Sequence, residues 1–334
     1  MAVMHTTPSV VLLPTCLGVA GQDSTARLDS SAHQVRMITV QPNVQLEALD
    51  WGGQGRPLVM LAGSGNSAHV FDGFAEKLTD RSHVYGITRR GYGASSRPLS
   101  GYDSARLADD VLAAIDVLRL ERPILLGHSL GGKELTALAT AHPKRVSALI
   151  YIDSTADPTY DWTANTERRK QLPPPAVPRP TKQDLASVQA YRDWQVRANG
   201  FAMPAGDISN VYAINPDGSV APVKTPPFVG DAIFRGMKKP DYSGIRVPVL
   251  AFFAPPPPPK QQAKTLQPLS EQQRATLQAV YEEELAFSRM ASATLKKGVP
   301  NARIVEIQGA SHYMFLSNEP DLLREIRLFI TKIH

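Results

Sequence analysis

An α/β class, with a mostly parallel doubly wound sheet and an inserted cap after its sixth strand, follows from three observations in the sequence. Short strand-like runs at 57–62, 83–88, 123–126, 146–152, 247–253 and 302–307 alternate with segments whose apolar residues recur at helical spacing. That alternation is the order in which parallel strands are joined by helices lying on both faces. The pentapeptide Gly127-His128-Ser129-Leu130-Gly131 falls between one such run and the helix after it. The alternation then breaks from 154 to 245, a length improbable for a bare loop in a compact domain. The expected division is an N-terminal segment 1–32, a core made of 33–153 and 246–334, and a cap over 154–245.

Residues 34–40 and 45–51 alternate partly between apolar and polar, as in a hairpin with one face covered, and Pro42 and Asn43 supply its turn. The run 57–62 suits a strand buried on both faces and ends in Gly63-Ser64-Gly65-Asn66; Val70, Phe71, Phe74, Ala75 and Leu78 then share a helical spacing. The strand 83–88 leads into Arg89-Arg90-Gly91-Tyr92-Gly93. Leu107, Val111, Leu112, Ile115 and Leu118 mark an amphipathic helix that delivers the chain to the strand before Ser129. Within the cap a helix is expected over 181–198. Pro255 to Pro259 form a stiff extended spacer, and long helical patterns over 270–296 and from Asn318 onward flank the last strand.

Composition narrows the function classes. With 43% hydrophobic residues the chain can bury an ordinary core, and a net charge of +5, spread over scattered basic pairs, gives no stripe for nucleic acid. Cys16 stands alone, which excludes an internal disulfide and a cysteine metal cluster. No run reaches the roughly 18 apolar residues of a membrane span. Residues 9–20 resemble the apolar core of a signal peptide ending in small residues, although no Lys or Arg precedes them. Export to the periplasm or beyond through an atypical signal is one expectation; a cytoplasmic chain is the other.

A serine between a strand and a helix in Gly-x-Ser-x-Gly is the setting of a nucleophile elbow, where the turn exposes the hydroxyl and Gly127 and Gly131 let the backbone pass close by. Such a serine needs a base. Among the eight histidines, His312 alone follows a late strand in a loop, after Gly309-Ala310-Ser311; His128, within the elbow, points away from the serine. No metal-ligand, phosphate-loop or dinucleotide pattern occurs, so no cofactor or metal is expected.

With Gly127-His128-Ser129-Leu130-Gly131, Arg90-Gly91-Tyr92-Gly93 and Gly309-Ala310-Ser311-His312 in this order, the chain resembles an α/β-hydrolase from about residue 35 to its end, in the serine esterase and lipase-like branch. The resemblance implies an oxyanion hole made by the backbone N–H groups of Leu130 and Ser64; Ala62 replaces a histidine common in that loop. Ser129 departs from epoxide hydrolases and haloalkane dehalogenases, which need Asp there. The usual loop for the triad acid is here Ala254 followed by five prolines. Asp153, at the end of the strand after the elbow helix, occupies the position used by other members, with Glu271, Glu282, Glu283 and Glu284 as alternatives.

The expected activity is hydrolysis of a small-molecule carboxylic ester or lactone through an acyl-enzyme. Alternatives are a proline-specific aminopeptidase, a cofactor-free perhydrolase, or a binding protein that keeps the fold without the chemistry. Trp162, Tyr191 and Trp194 in the cap are candidates to touch substrate or to form the cap's own small core.

Overall fold

The computed structural model describes residues 31–333; the signal-like run at 9–20 lies outside them. The chain enters through a hairpin, β1 (Gln34–Gln41) and β2 (Val44–Gly52), turned at Asn43 with φ of 62°, a left-handed conformation that asparagine tolerates better than most residues. Strands β3 (Arg56–Leu61), β4 (Ser82–Ile87), β5 (Ile124–His128) and β6 (Ala148–Ile152) follow. Helix α1 (Ser104–Val117) precedes β5, and α2 (Gly131–Ala141) follows it. After the insertion, β9 (Val249–Phe253) and β10 (Arg303–Glu306) complete one eight-stranded sheet, ordered β1-β2-β4-β3-β5-β6-β9-β10. Pairing is antiparallel through β1, β2 and β4 and parallel from β4 to β10.

Two-residue periodicity assigns the side chains to two layers. Leu58, Met60, Ile124 and Leu126 pack on one face, with Phe71, Phe74, Phe315 and Ile326. Val59, Leu61 and Leu125 pack on the other, with Val111, Ile115, Leu135 and Leu295. Burial of both faces explains why these strands read as continuous apolar runs rather than alternating ones.

The helix expected from Val70 to Leu78 is instead two single 3-10 turns, Ala68–Phe71 and Ala75–Leu78. Gly73 between them has φ of 78° and Asp72 is extended, which breaks the ladder while leaving the apolar residues buried.

The insertion holds α3 (Thr163–Arg169), α4 (Val188–Asn199), α5 (Ala205–Val211), a hairpin of β7 (Tyr212–Ile214) and β8 (Val220–Val223), and α6 (Pro227–Gly236). Helix α4 starts later than expected because Ser187 caps it, accepting from the Ala190 N–H, while Asp184 bonds back to Thr181 in a separate turn. Helices α4 and α5 and the hairpin share a cluster of Val188, Tyr191, Ala205, Ile208 and Val220. Helix α6 lies over Tyr92, Tyr102, Leu107 and Leu130 through Val229 and Ile233.

The spacer expected over Pro255 to Pro259 ends one residue early, because Pro259 is already the first residue of a short α7 (Pro259–Gln262), a position proline favours; α8 (Glu271–Gly298) follows and opens on a capping box between Ser270 and Gln273. The chain closes with α9 (Met314–Ser317) and α10 (Glu319–Ile330). Asn318 does not cap α10; its side chain accepts from the Ser317 hydroxyl instead. No helix among the described residues is long and apolar enough to cross a membrane.

Candidate functional site

The site forms where the parallel strands end. Ser129 follows β5 directly with φ of 51°, a left-handed conformation that non-glycine residues hold only when the surroundings impose it. Close approach imposes it here. A Cβ on Gly127 would lie 2.5 Å from Leu135, and one on Gly131 would lie 2.3 Å from the Leu61 carbonyl oxygen. The Ser129 N–H donates to the Ile152 carbonyl at 3.1 Å, tying the turn to the neighbouring strand.

Asp153 directly follows β6 in the same backbone region, with φ of 45°. Its N–H donates to the Phe252 carbonyl at 2.9 Å, and its Oδ1 accepts from the Ala254 N–H at 3.3 Å. Its Oδ2 lies 2.7 Å from His312 Nδ1, so the imidazole carries its proton on that nitrogen and leaves Nε2 as the acceptor. Glu283 and Glu284 are paired with Arg168 and Arg169 of α3 rather than with the imidazole.

Ser64, Ser129, Leu130, Asp153 and His312 line one cavity of about 520 Å³. Its apolar wall includes Trp162, Phe234, Met237, Phe253 and Phe287. Lys133, in the first turn of α2, also reaches it and donates to the Ala156 carbonyl. Burial pushes its ammonium down to about 8, against the pull of the Asp157 carboxylate. A second cavity of about 1340 Å³ shares Asp153, Ala254, Pro256 and His312 with the first and adds Trp194, Phe201 and Tyr313.

The aromatic candidates of the insertion divide. Trp162 lines the first cavity, tilted against Tyr160 and edge-on to Phe287, and Trp194 lines the second, its indole N–H donating to the Pro178 carbonyl at 3.0 Å. Tyr191 lines neither. It is 8% exposed inside the cluster of the insertion, stacked on Trp194 with its hydroxyl 3.3 Å from that of Tyr212.

Several supporting residues escaped the sequence reading. His128 is fully buried, and its Nε2 donates to the His312 carbonyl at 3.0 Å while its ring packs 4.6 Å from the His312 ring. Burial, together with the nearby His312, holds His128 well below the usual histidine range, so it stays neutral. Arg89 is buried and paired with Glu134 of α2. Its guanidinium also donates to the Ala62 and Gly63 carbonyls at 2.7 and 3.2 Å, fixing the peptides that lead into Ser64. The Arg-Arg pair after β4 was the available signal, since a basic pair entering the end of a buried strand must find internal partners.

The architecture has close parallels among known proteins. A family model described as alpha/beta hydrolase fold matches residues 56–204. The 2-(acetamidomethylene)succinate hydrolase of Mesorhizobium japonicum is 32% identical over 103 residues, covering 31% of this chain and 37% of that protein. The AB hydrolase superfamily protein YisY of Bacillus subtilis is 43% identical over 81 residues, 24% of this chain and 30% of that one. The matched segment thus spans about a third of the length of these curated relatives. Over the whole structure the likeness is wider. A crystal structure of E-2-(acetamidomethylene)succinate hydrolase aligns with a TM-score of 0.66 at 21% identity, covering 90% of this chain and all of that one (100%). Carboxylesterase CesB of Bacillus subtilis aligns at 0.59 with 14% identity, covering 92% and 94%. Sheet order, the elbow after β5 and these matches agree: the chain has the α/β-hydrolase fold.

Proposed function

We propose that the protein is a serine hydrolase that cleaves a carboxylic ester or lactone through an acyl-enzyme. The observation that carries this reading is the 2.7 Å contact between His312 Nδ1 and Asp153 Oδ2 at the cavity that Ser129 and Leu130 also line. Ser129 Oγ attacks the carbonyl carbon while His312 Nε2 takes its proton, and Asp153 keeps the tautomer and stabilises the imidazolium. The oxyanion is met by the N–H of Leu130 at the start of α2, where the helix dipole adds favourable potential, and by the N–H of Ser64 in the loop after β3. Collapse breaks the bond to the leaving oxygen, which takes the proton from His312. Water then attacks the acyl ester with His312 as base, releases the acid and restores Ser129.

Hydrolase and esterase relatives support the reaction class, and an apolar wall of Trp162, Phe253 and Phe287 suits an apolar acyl group. The lactone option draws on the fold neighbour described as an N-acyl homoserine lactone degrading enzyme, TM-score 0.57. The test is turnover of p-nitrophenyl acetate and butyrate together with labelling by a fluorophosphonate. Labelling at Ser129, abolished in Ser129→Ala, is expected with a fall in kcat on the order of 10⁶. More than a tenth of the activity in that variant would overturn the assignment.

A further inference from the structure

Asp207 lies in the first turn of α5, in the insertion, and is 2% exposed. Among the described residues, the hydrogen bonds that reach its carboxylate come from the loop after β3. Oδ2 accepts from Asn66 Nδ2 at 2.8 Å, and Oδ1 accepts from the Ser67 N–H at 2.9 Å and the Ser67 hydroxyl at 2.8 Å. The amide of Asn66 continues the chain, its Oδ1 accepting from the Tyr313 hydroxyl at 3.0 Å. Tyr313 directly follows His312. One buried carboxylate is therefore joined to the loop that carries Ser64 and, one amide further on, to the loop that carries His312.

Burial pushes the carboxyl up to about 6, against the donors and the nearby His69. At neutral pH it is still ionised and acts only as an acceptor, which matches the donors aimed at it. Tyr212 and Tyr313 also face it, and both phenols are held above their usual range, first by burial. The loop is held on its other side too. Arg89 fixes the carbonyls of Ala62 and Gly63, and Ser64 Oγ lies 3.3 Å from the Tyr92 hydroxyl. Ser64 is thus suspended between two buried charges, a cation before it and an anion after it. Anchoring α5 to the core would need contacts with any part of the sheet. These contacts end instead beside the two groups whose relative placement decides whether an oxyanion is stabilised.

We propose that Asp207 is a positioning residue, reaching from the insertion to hold the Ser64 N–H and, through Asn66 and Tyr313, the His312 loop in register with Ser129. The inference rests on the acyl-transfer reading of the site, and its consequences fall on the chemical step rather than on substrate affinity.

The experiment compares the full chain with Asp207→Asn, Tyr313→Phe and Asn66→Ala, using p-nitrophenyl acetate, the rate of fluorophosphonate labelling and thermal melting. Asn in place of Asp207 presents an NH₂ group where only acceptors fit. It should lower kcat roughly 10- to 100-fold, with KM within about threefold and labelling slowed in parallel, the cost expected for a displaced oxyanion donor. Tyr313→Phe removes only the last link and should lower kcat by about 3- to 10-fold without lowering the melting temperature. A lower melting temperature in Asp207→Asn with kcat per labelled site within twofold of wild type would make the residue merely structural and overturn the proposal. If that variant fails to fold, Tyr313→Phe and Asn66→Ala decide, and unchanged kcat in both overturns it. A wild-type chain that neither turns over nor labels removes the acyl-transfer reading, and this inference with it; a reactive wild type with unaltered variants removes this inference alone.

Discussion

Asp153 is the residue on which the proposed chemistry can be tested most cleanly. Its φ of 45° would strain most replacements, yet asparagine is among the few side chains that tolerate left-handed backbone. Asn at this position also keeps an oxygen for the Ala254 N–H while presenting an NH₂ group to His312 Nδ1, which forces the wrong tautomer. Asp153→Asn should therefore lower kcat by up to about 10⁴ with the melting transition nearly unchanged. Glu284→Gln should leave kcat within about threefold, because Glu284 is occupied by Arg169. Steady-state kinetics on the two purified variants, with a larger loss in the glutamine variant, would move the acid onto α8. That Ser129, His312 and Asp153 meet at one cavity was legible because each is announced by its local context, at a strand end or in a loop next to glycine. Asp207 was not, because its partners lie far along the chain and a lone buried charge has no local signature; for Arg89 the Arg-Arg pair hinted at burial but did not name Glu134 as the partner. The loop 63–67 gives no hint that its hydrogen bonds are completed 140 residues later.

At the scale of elements, the insertion contains two kinds of aromatic side chain, and the sequence did not separate them. Both occur at helical or loop positions rich in tryptophan and tyrosine, and only packing shows that Tyr191 faces α5 and the β7–β8 hairpin whereas Trp162 packs edge-on against Phe287 in the wall of the first cavity. Tyr191→Ala should cost about 3 kcal/mol of stability or more, the usual range for deleting a buried ring, with acyl-chain preference unchanged. Trp162→Ala should do the opposite, altering the ratio of acetate to longer-chain ester turnover at little cost in stability. Chemical denaturation and a chain-length series on both variants check the pair, and interchanged effects would reverse the assignment. The central strands of the large sheet were readable to within a residue or two because burial on both faces leaves uninterrupted apolar runs, whereas the short, half-exposed β7–β8 hairpin of the insertion left no such run. The segment 68–78 misled for a related reason: the apolar spacing reports which side chains are buried, whereas Gly73 decides whether the backbone between them stays helical.

For the whole molecule, class and direction were legible in the alternation of strand-like and helix-like segments, whereas the order of strands emerged only in three dimensions, where β3 lies between β4 and β5 and the insertion separates the neighbours β6 and β9. That order brings Ser129 and Asp153 side by side, each at the end of a central strand and each with positive φ. A left-handed L-residue costs roughly 1–2 kcal/mol, so these turns are held against their own preference by the sheet and by α2. The hydroxyl to which the proposed mechanism assigns the attack thus sits on a backbone that would relax if the side chain were removed. Ser129→Gly should be inert and yet more resistant to denaturant than Ser129→Ala, by up to about 1 kcal/mol once the greater freedom of unfolded glycine is allowed for. Equal midpoints, or a lower one for glycine, would show the elbow to be at rest. A higher one would mean that durability and reactivity draw on the same few degrees of torsion, so that selecting this chain for heat resistance alone would tend to disarm it.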